Sequence, residues 1–155
     1  MTSEAPLIRP AEADDVGRVV ELLQLGAVPG GPPSAEDPTD LDPYRAALRD
    51  ITASGGTVLV ALRSGEVVGT CQLIVFRHLQ ARGGLCAEIE SVHVHPDHRG
   101  SGVGAALVRH AVERARRLGC YRIQLTSDAA RPDAHRFYER LGLSPSHIGF
   151  KMRLQ

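Results

Sequence analysis

The spacing of apolar residues along this chain changes period several times, and each change marks the edge of an element. Residues 7–9 read as a short strand. Glu12-Ala13-Asp14-Asp15 then opens a helix whose apolar stripe is Val16, Val19, Val20 and Leu23, and the acidic start complements the helix dipole. Residues 26–43 carry five prolines and three glycines, so the periodicity stops there. A segment that long without an element of its own marks a functional loop or a mobile one. Residues 41–51 resume a helical pattern. Residues 57–62 and 67–76 are rich in β-branched residues and flank Arg63-Ser64-Gly65-Glu66, which predicts a hairpin. A strand over 85–94, a helix over 103–118, a strand over 122–126, a helix over 133–141 and a last strand near 149–154 complete the pattern.

The strand over 85–94 breaks its own rule. Leu85, Ala87 and Ile89 are apolar at odd positions, whereas Val92 and Val94 are apolar at even ones. Side chains alternate with period two, so both sets share a face only if one residue is inserted near Glu90-Ser91. That insertion is a β-bulge, which splays neighbouring strands and frees backbone donors. It predicts a cleft flanked by Glu88 and Glu90.

Beyond that strand lies Arg99-Gly100-Ser101-Gly102-Val103-Gly104, immediately before the long amphipathic helix. Glycines let successive N–H groups converge, and the helix start adds its unpaired donors and positive dipole end. The segment therefore reads as a site for a phosphorylated ligand. It lacks the Lys-Ser/Thr ending of a nucleoside-triphosphate loop and the full glycine fingerprint of a dinucleotide fold.

Composition narrows the classes further. The 155 residues fit one domain with a real core. Lys plus Arg and Asp plus Glu are 18 each, so no net field favours nucleic acid or an anionic membrane. No apolar run reaches membrane-spanning length, and the start MTSEAPLIRP lacks the features of a secretory signal, which predicts a cytoplasmic protein. Cys71, Cys86 and Cys120 are odd in number and read as buried thiols. His93, His95 and His98 around Asp97 could suggest a metal, but the strand and turn context favours phosphate or solvent contacts, and no metal is expected. A serine hydrolase is unsupported, because no Gly-x-Ser-x-Gly elbow occurs.

The run Ile89–Gly104, IESVHVHPDHRGSGVG, resembles motif A of the GNAT superfamily of acetyl-CoA-dependent N-acetyltransferases. Ala134-His135-Arg136-Phe137-Tyr138-Glu139-Arg140-Leu141-Gly142-Leu143 resembles the family's second signature, and the opening LIRPAEADDVGRVVELL is similar to its first strand and helix. The resemblance implies an α/β fold: a mixed, mostly antiparallel, splayed sheet flanked by about four helices. It implies that Arg99, Gly100, Ser101, Gly102, Val103 and Gly104 hold the pyrophosphate of CoA. The strand around Val92, His93 and Val94 would pair with the pantetheine arm, and a backbone N–H there would hold the thioester oxygen. Tyr138 matches the tyrosine that protonates the leaving thiolate, or else a core aromatic beside Phe137. Glu88, favoured over Glu90, matches a glutamate that some members use as base; a salt-bridged strand residue or a water chain is the alternative.

Arg131 stands where members often carry an asparagine that contacts the cofactor. The string Arg131-Pro132-Asp133-Ala134-His135-Arg136-Phe137-Tyr138, with Ser146-His147-Ile148-Gly149-Phe150, is more similar to the subgroup containing aminoalkylphosphonate N-acetyltransferases. The expected activity is acetyl transfer to a primary amine of small size. A protein N-terminus or lysine as acceptor, and a non-catalytic acyl-CoA-binding module, are the alternatives. Residues 26–45 would form part of the acceptor site, where Glu36, Asp37, Asp40 and Asp42 either attract an ammonium or are simply solvated. The resemblance is also compatible with a homodimer.

Overall fold

The computed structural model describes residues 4–27 and 33–154. Among the described residues five strands form one sheet in the order β1-β2-β3-β4-β5. β1 (Leu7–Pro10), β2 (Thr57–Arg63), β3 (Glu66–Arg77) and β4 (Leu85–Val94) pair antiparallel in succession. β5 (Cys120–Gln124) joins β4 in parallel. The β2–β3 hairpin turns on Ser64 (φ 49°) and Gly65 (φ 81°). Two successive left-handed residues make the tight turn whose twist suits antiparallel strands.

After β1 a 3₁₀ turn, Ala13–Asp15, leads into α1 (Val16–Leu25), and α2 is Asp42–Ala53. The acidic start is used as a clamp: Asp15 accepts two bonds from the Arg9 guanidinium, at 2.6 and 3.0 Å, and one from the Glu12 N–H at 2.7 Å. These bonds hold the Asp15 carboxyl below the usual carboxylate range, despite its burial. α3 (Gln80–Gly83) is one turn with Ala81 and Arg82 left-handed, at φ 51° and 59°. α4 (Val103–Arg117) and α5 (Pro132–Arg140) complete the element order, so the expected mixed, mostly antiparallel α/β architecture is the one observed.

The two faces of the sheet are packed very differently. On one face Leu107, Val108, Ala111 and Ala115 of α4 close over Leu59, Leu73 and Ile89, all fully buried or nearly so. On the other, Leu22 of α1 packs on Val60 and Val67. The contact between α4 and β3 depends on Gly69. A Cβ there would lie 2.8 Å from Val103 Cγ1 and 3.1 Å from Leu107 Cδ1. Val103 is itself buried and stiff at χ1, so it cannot swing away. Gly69→Ala should therefore cost about 1–3 kcal/mol of unfolding free energy, read as a lower denaturant midpoint at unchanged slope.

The expected strand near 149–154 does not form. Ile148, Phe150, Met152 and Leu154 are 82%, 96%, 82% and 88% exposed. Their alternation is that of a strand with one buried face, but no ladder partner lies beside them among the described residues. Periodicity states which face a strand would bury, and it cannot supply the neighbouring strand.

Candidate active site

β4 carries the irregularity that its pattern requires. Ser91 is left-handed at φ 53°, and the β3–β4 register slips between Thr70 and Gln72. The slip puts Ala87, Ile89, Val92 and Val94 on the same α4-facing cluster, as the change of phase demands. β5 follows β4 only as far as Glu88, paired with Gln124. β4 runs on to Val94 without it, so the two strands separate beside the bulge. The backbone of residues 91–94 lines that opening.

The turn over 99–104 sits at the same end of the sheet. Gly100 (φ 70°) and Gly102 (φ 86°) are left-handed, and a Cβ on either would meet nothing within 4 Å. Glycine is required here by backbone conformation, not by space. Gly102 is the N-cap of α4 and offers no side chain to the first-turn donors. Those N–H groups are thus left to face an anion. Gly104 differs from its neighbours in the turn: a Cβ there would lie 3.4 Å from Phe137 Cζ, an ordinary contact. That closeness brings the Phe137-Tyr138 pair of α5 against the start of α4.

Arg63, at the end of β2, was silent in the sequence. Its guanidinium donates to Ser101 Oγ at 2.8 Å and to Ser101 O at 2.7 Å, while Ser101 Oγ donates to His98 O. The Ser101 hydroxyl is therefore engaged in holding the turn's shape. Arg99 Nε donates to Val94 O at 3.2 Å, which folds the turn back on β4. Because Arg63 braces a loop of otherwise few side-chain contacts, Arg63→Met should loosen the anion site while sparing the core. Titration calorimetry should show affinity for a phosphorylated ligand at this turn falling about tenfold, the scale of one lost charge-assisted hydrogen bond.

Glu88 and Glu90 lie on the face opposite α4. Glu88 accepts a bond from Gln124 Nε2 at 2.8 Å. Glu90 stands opposite Gln72 and is held above the usual carboxylate range, first by burial, then by Glu88 beside it, with Lys151 opposing. His93 is pushed down by burial and then by Arg131 and Arg99, so its ring is biased towards neutrality. Gly26, after α1, packs so closely on His93 that a Cβ would fall 1.9 Å from Nδ1. Tyr138 is raised above the usual phenol range, burial being the main cause, which keeps its proton on at neutral pH. Its neighbour Cys71 is pushed up to about 12 by burial and is an unreactive thiol.

Of the expected acceptor segment over 26–45, residues 28–32 lie outside the described residues. Within the remainder the acidic side chains are engaged locally. Glu36 accepts from Tyr44 Oη at 2.9 Å, Asp37 accepts from Thr39, and Asp42 pairs with Arg45 at 3.5 Å. His135 bonds the Asp128 carbonyl oxygen at 2.8 Å, and Asp133 pairs with Arg136, so the polar residues of that string build the entry to α5. Between α1, α2 and the bulge lies a cavity of about 160 Å³, bounded among others by Val19, Leu23, Leu48, Gln72 and Ser91. No sequence signal foretold it, because its walls come from five separate elements.

A family model described as the acetyltransferase (GNAT) family matches residues 21–143. The chain is 40% identical over 95 residues to an aminoalkylphosphonate N-acetyltransferase of Salmonella typhimurium, and that match spans 61% of either chain. It is 30% identical over 149 residues to glucosamine 6-phosphate N-acetyltransferase 1 of Oryza sativa, covering 94% of this chain and 85% of that one. Among solved structures, a transcriptional regulator from Bacillus halodurans superposes with a TM-score of 0.87 at 37% identity, covering 96% of this chain and 99% of that one. A putative acetyltransferase from Agrobacterium tumefaciens gives 0.83 at 30%, covering 95% and 99%.

Proposed function

This chain belongs to the acetyltransferase (GNAT) family, and we propose that it moves the acetyl group of acetyl-CoA to the nitrogen of a small primary amine by direct attack in a ternary complex. The observation that carries this reading is a coincidence in space. The glycine-built, uncapped start of α4 opens at the same end of the sheet where β4 bulges and parts from β5. The residues fit a long phosphorylated thioester: donors for its pyrophosphate at one end, an unpaired strand edge for its arm, and a phenol near the bulge. Bound acetyl-CoA supplies an acetyl carbon activated as a thioester, so that a C–N bond forms as the C–S bond breaks.

Arg99 and the backbone N–H groups of Gly100, Ser101, Gly102, Val103 and Gly104 would hold the pyrophosphate, with Arg63 keeping their donors aligned. The backbone of Val92, His93 and Val94 would hold the arm as an added strand and aim an N–H at the thioester oxygen. Such a preorganised donor is worth roughly 2.7–4 kcal/mol of barrier. The carboxylates of Glu88 and Glu90 would take the proton from the substrate ammonium, freeing the nitrogen lone pair. Tyr138 Oη would deliver its proton to the departing sulfur. A neutral phenol and a carboxyl of raised affinity for protons are the two groups such a transfer needs near pH 7.

The acceptors named for two curated relatives are an aminoalkylphosphonate and glucosamine 6-phosphate, which supports a small molecule over a protein chain as acceptor. A cytoplasmic location fits the three unpaired thiols, Cys71, Cys86 and Cys120. Initial rates with both substrates varied should give intersecting lines, with no acetylated protein in intact-mass spectra after acetyl-CoA alone. Parallel lines with an acetylated protein would replace direct attack by a covalent route.

A further inference from the structure

We infer that the acceptor is a primary amine with an apolar body, alkyl or arylalkyl, and that the cavity between α1 and α2 is where this body lies. The inference rests on the reading of the chain as an amine acetyltransferase and names the class of amine. It departs from the acceptors named for the two curated relatives described above, which carry phosphonate or phosphate groups.

The first ground is the chemistry of the walls. Among the described residues that bound the cavity, none carries a charge. Its sides are aliphatic residues of α1 and α2, and its few polar groups are mostly engaged already. Tyr44 Oη donates to Glu36 and accepts from the Asp37 N–H, and Thr70 Oγ1 donates to Leu59 O at 2.9 Å. Uncommitted polarity is confined to the bulge end, at Gln72 and Ser91. A phosphate placed here would meet aliphatic walls and no cation among the described lining residues, whereas an apolar body would be matched by them.

The second ground is α2 itself. Tyr44, Leu48 and Ile51 recur at helical spacing and turn the helix's apolar stripe inward, yet no residue of α2 is buried. A helix that presents an apolar stripe normally buries it. Here the stripe faces the cavity, so a ligand's apolar surface would complete the packing that the chain leaves open.

Size and polarity set the ligand's form. The cavity of about 160 Å³ is close to the roughly 150 Å³ that holds a benzene ring in an apolar protein interior. At the bulge end Gln72 lies opposite Glu90 in the β3–β4 register. An ammonium at that end meets the carboxylates and the thioester carbon's expected position, while its body points away between the helices. One polar end beside two carboxylates and a ring-sized, apolar-walled cavity behind it describe an arylalkyl or short alkyl amine.

The test compares 2-phenylethylamine and hexylamine with 2-aminoethylphosphonate and glucosamine 6-phosphate as acceptors. It follows release of the CoA thiol and measures amine binding to the CoA-loaded protein by calorimetry. The two apolar amines should exceed the two anionic ones by at least about tenfold in kcat/KM and in affinity. Leu48→Arg, on a helix with no buried residue, should abolish that preference and leave acetyl-CoA affinity unchanged, which shows that the fold is intact. Faster turnover of the anionic amines, or Leu48→Arg retaining the full preference, overturns the inference and leaves the acetyltransferase reading standing. Failure of every amine to be acetylated or bound, together with no affinity for acetyl-CoA, overturns both.

Discussion

Tyr138→Phe is expected to lower kcat by about 10²–10⁴-fold, the usual worth of a positioned proton donor, while KM for acetyl-CoA stays within about twofold. In the proposed role the hydroxyl would act at sulfur only as the C–S bond breaks. Its loss removes transition-state stabilisation and leaves ground-state binding intact. The ring would still fill its place, because Phe137 packs edge-on at 5.0 Å and the surrounding cluster is apolar. A second readout separates this role from packing: an acetyl donor whose thiol is more acidic needs less help leaving, so the deficit should shrink with it. A deficit equal for both donors would make Tyr138 a core aromatic only. Burial holds the phenol above its ordinary range, so the alkaline limb of the wild-type rate profile should fall later than a free phenol would give.

The carboxylate pair carries the second large effect. Replacing both groups, Glu88→Gln with Glu90→Gln, should cost about 10²–10⁴-fold in kcat/KM at neutral pH by removing the base. The wild-type rate should rise with pH on the acid side, since the base works only when deprotonated. Its midpoint should lie above the ordinary carboxylate range, because burial and the neighbouring Glu88 both hold the proton on Glu90. Glu88→Gln alone removes one of those causes, so the acid limb should move to lower pH if Glu90 accepts the proton. If Glu88 accepts it, the same variant should instead lose the limb and most of the rate. A profile unchanged in both single variants would assign proton removal to water.

Most of the architecture was legible because local pattern and tertiary demand agree. The strand at 85–94 was bounded correctly and its bulge located, since a two-residue period cannot change phase without an inserted residue. The 99–104 turn was legible for a similar reason. Glycines before an amphipathic stretch have few uses other than a tight, donor-rich turn. What stayed hidden depends on distance along the chain. Arg63 braces Ser101 from 38 residues away, and neither position shows a local sign of it. The cavity is equally non-local, and so is the role of Gly69, whose missing side chain makes room for Val103 and Leu107. The last segment misled for the converse reason: residues 149–154, with Ile148 before them, have a strand's alternation but no paired strand beside them among the described residues.

The proposed function requires that acetyl-CoA be held on the 99–104 turn and turned over to an amine. The most direct measurement mixes wild type and a Gly100→Val, Gly102→Val variant with acetyl-CoA and, in turn, 2-phenylethylamine, hexylamine, 2-aminoethylphosphonate and glucosamine 6-phosphate, then quantifies free CoA and N-acetylated amine by mass spectrometry. Wild type should form free CoA and acetylated amine in equal amounts with at least one acceptor. The variant, whose turn cannot adopt its left-handed residues without strain, should form neither at a comparable rate. Free CoA without acetylated amine from any tested acceptor, or a variant as active as wild type, would contradict it.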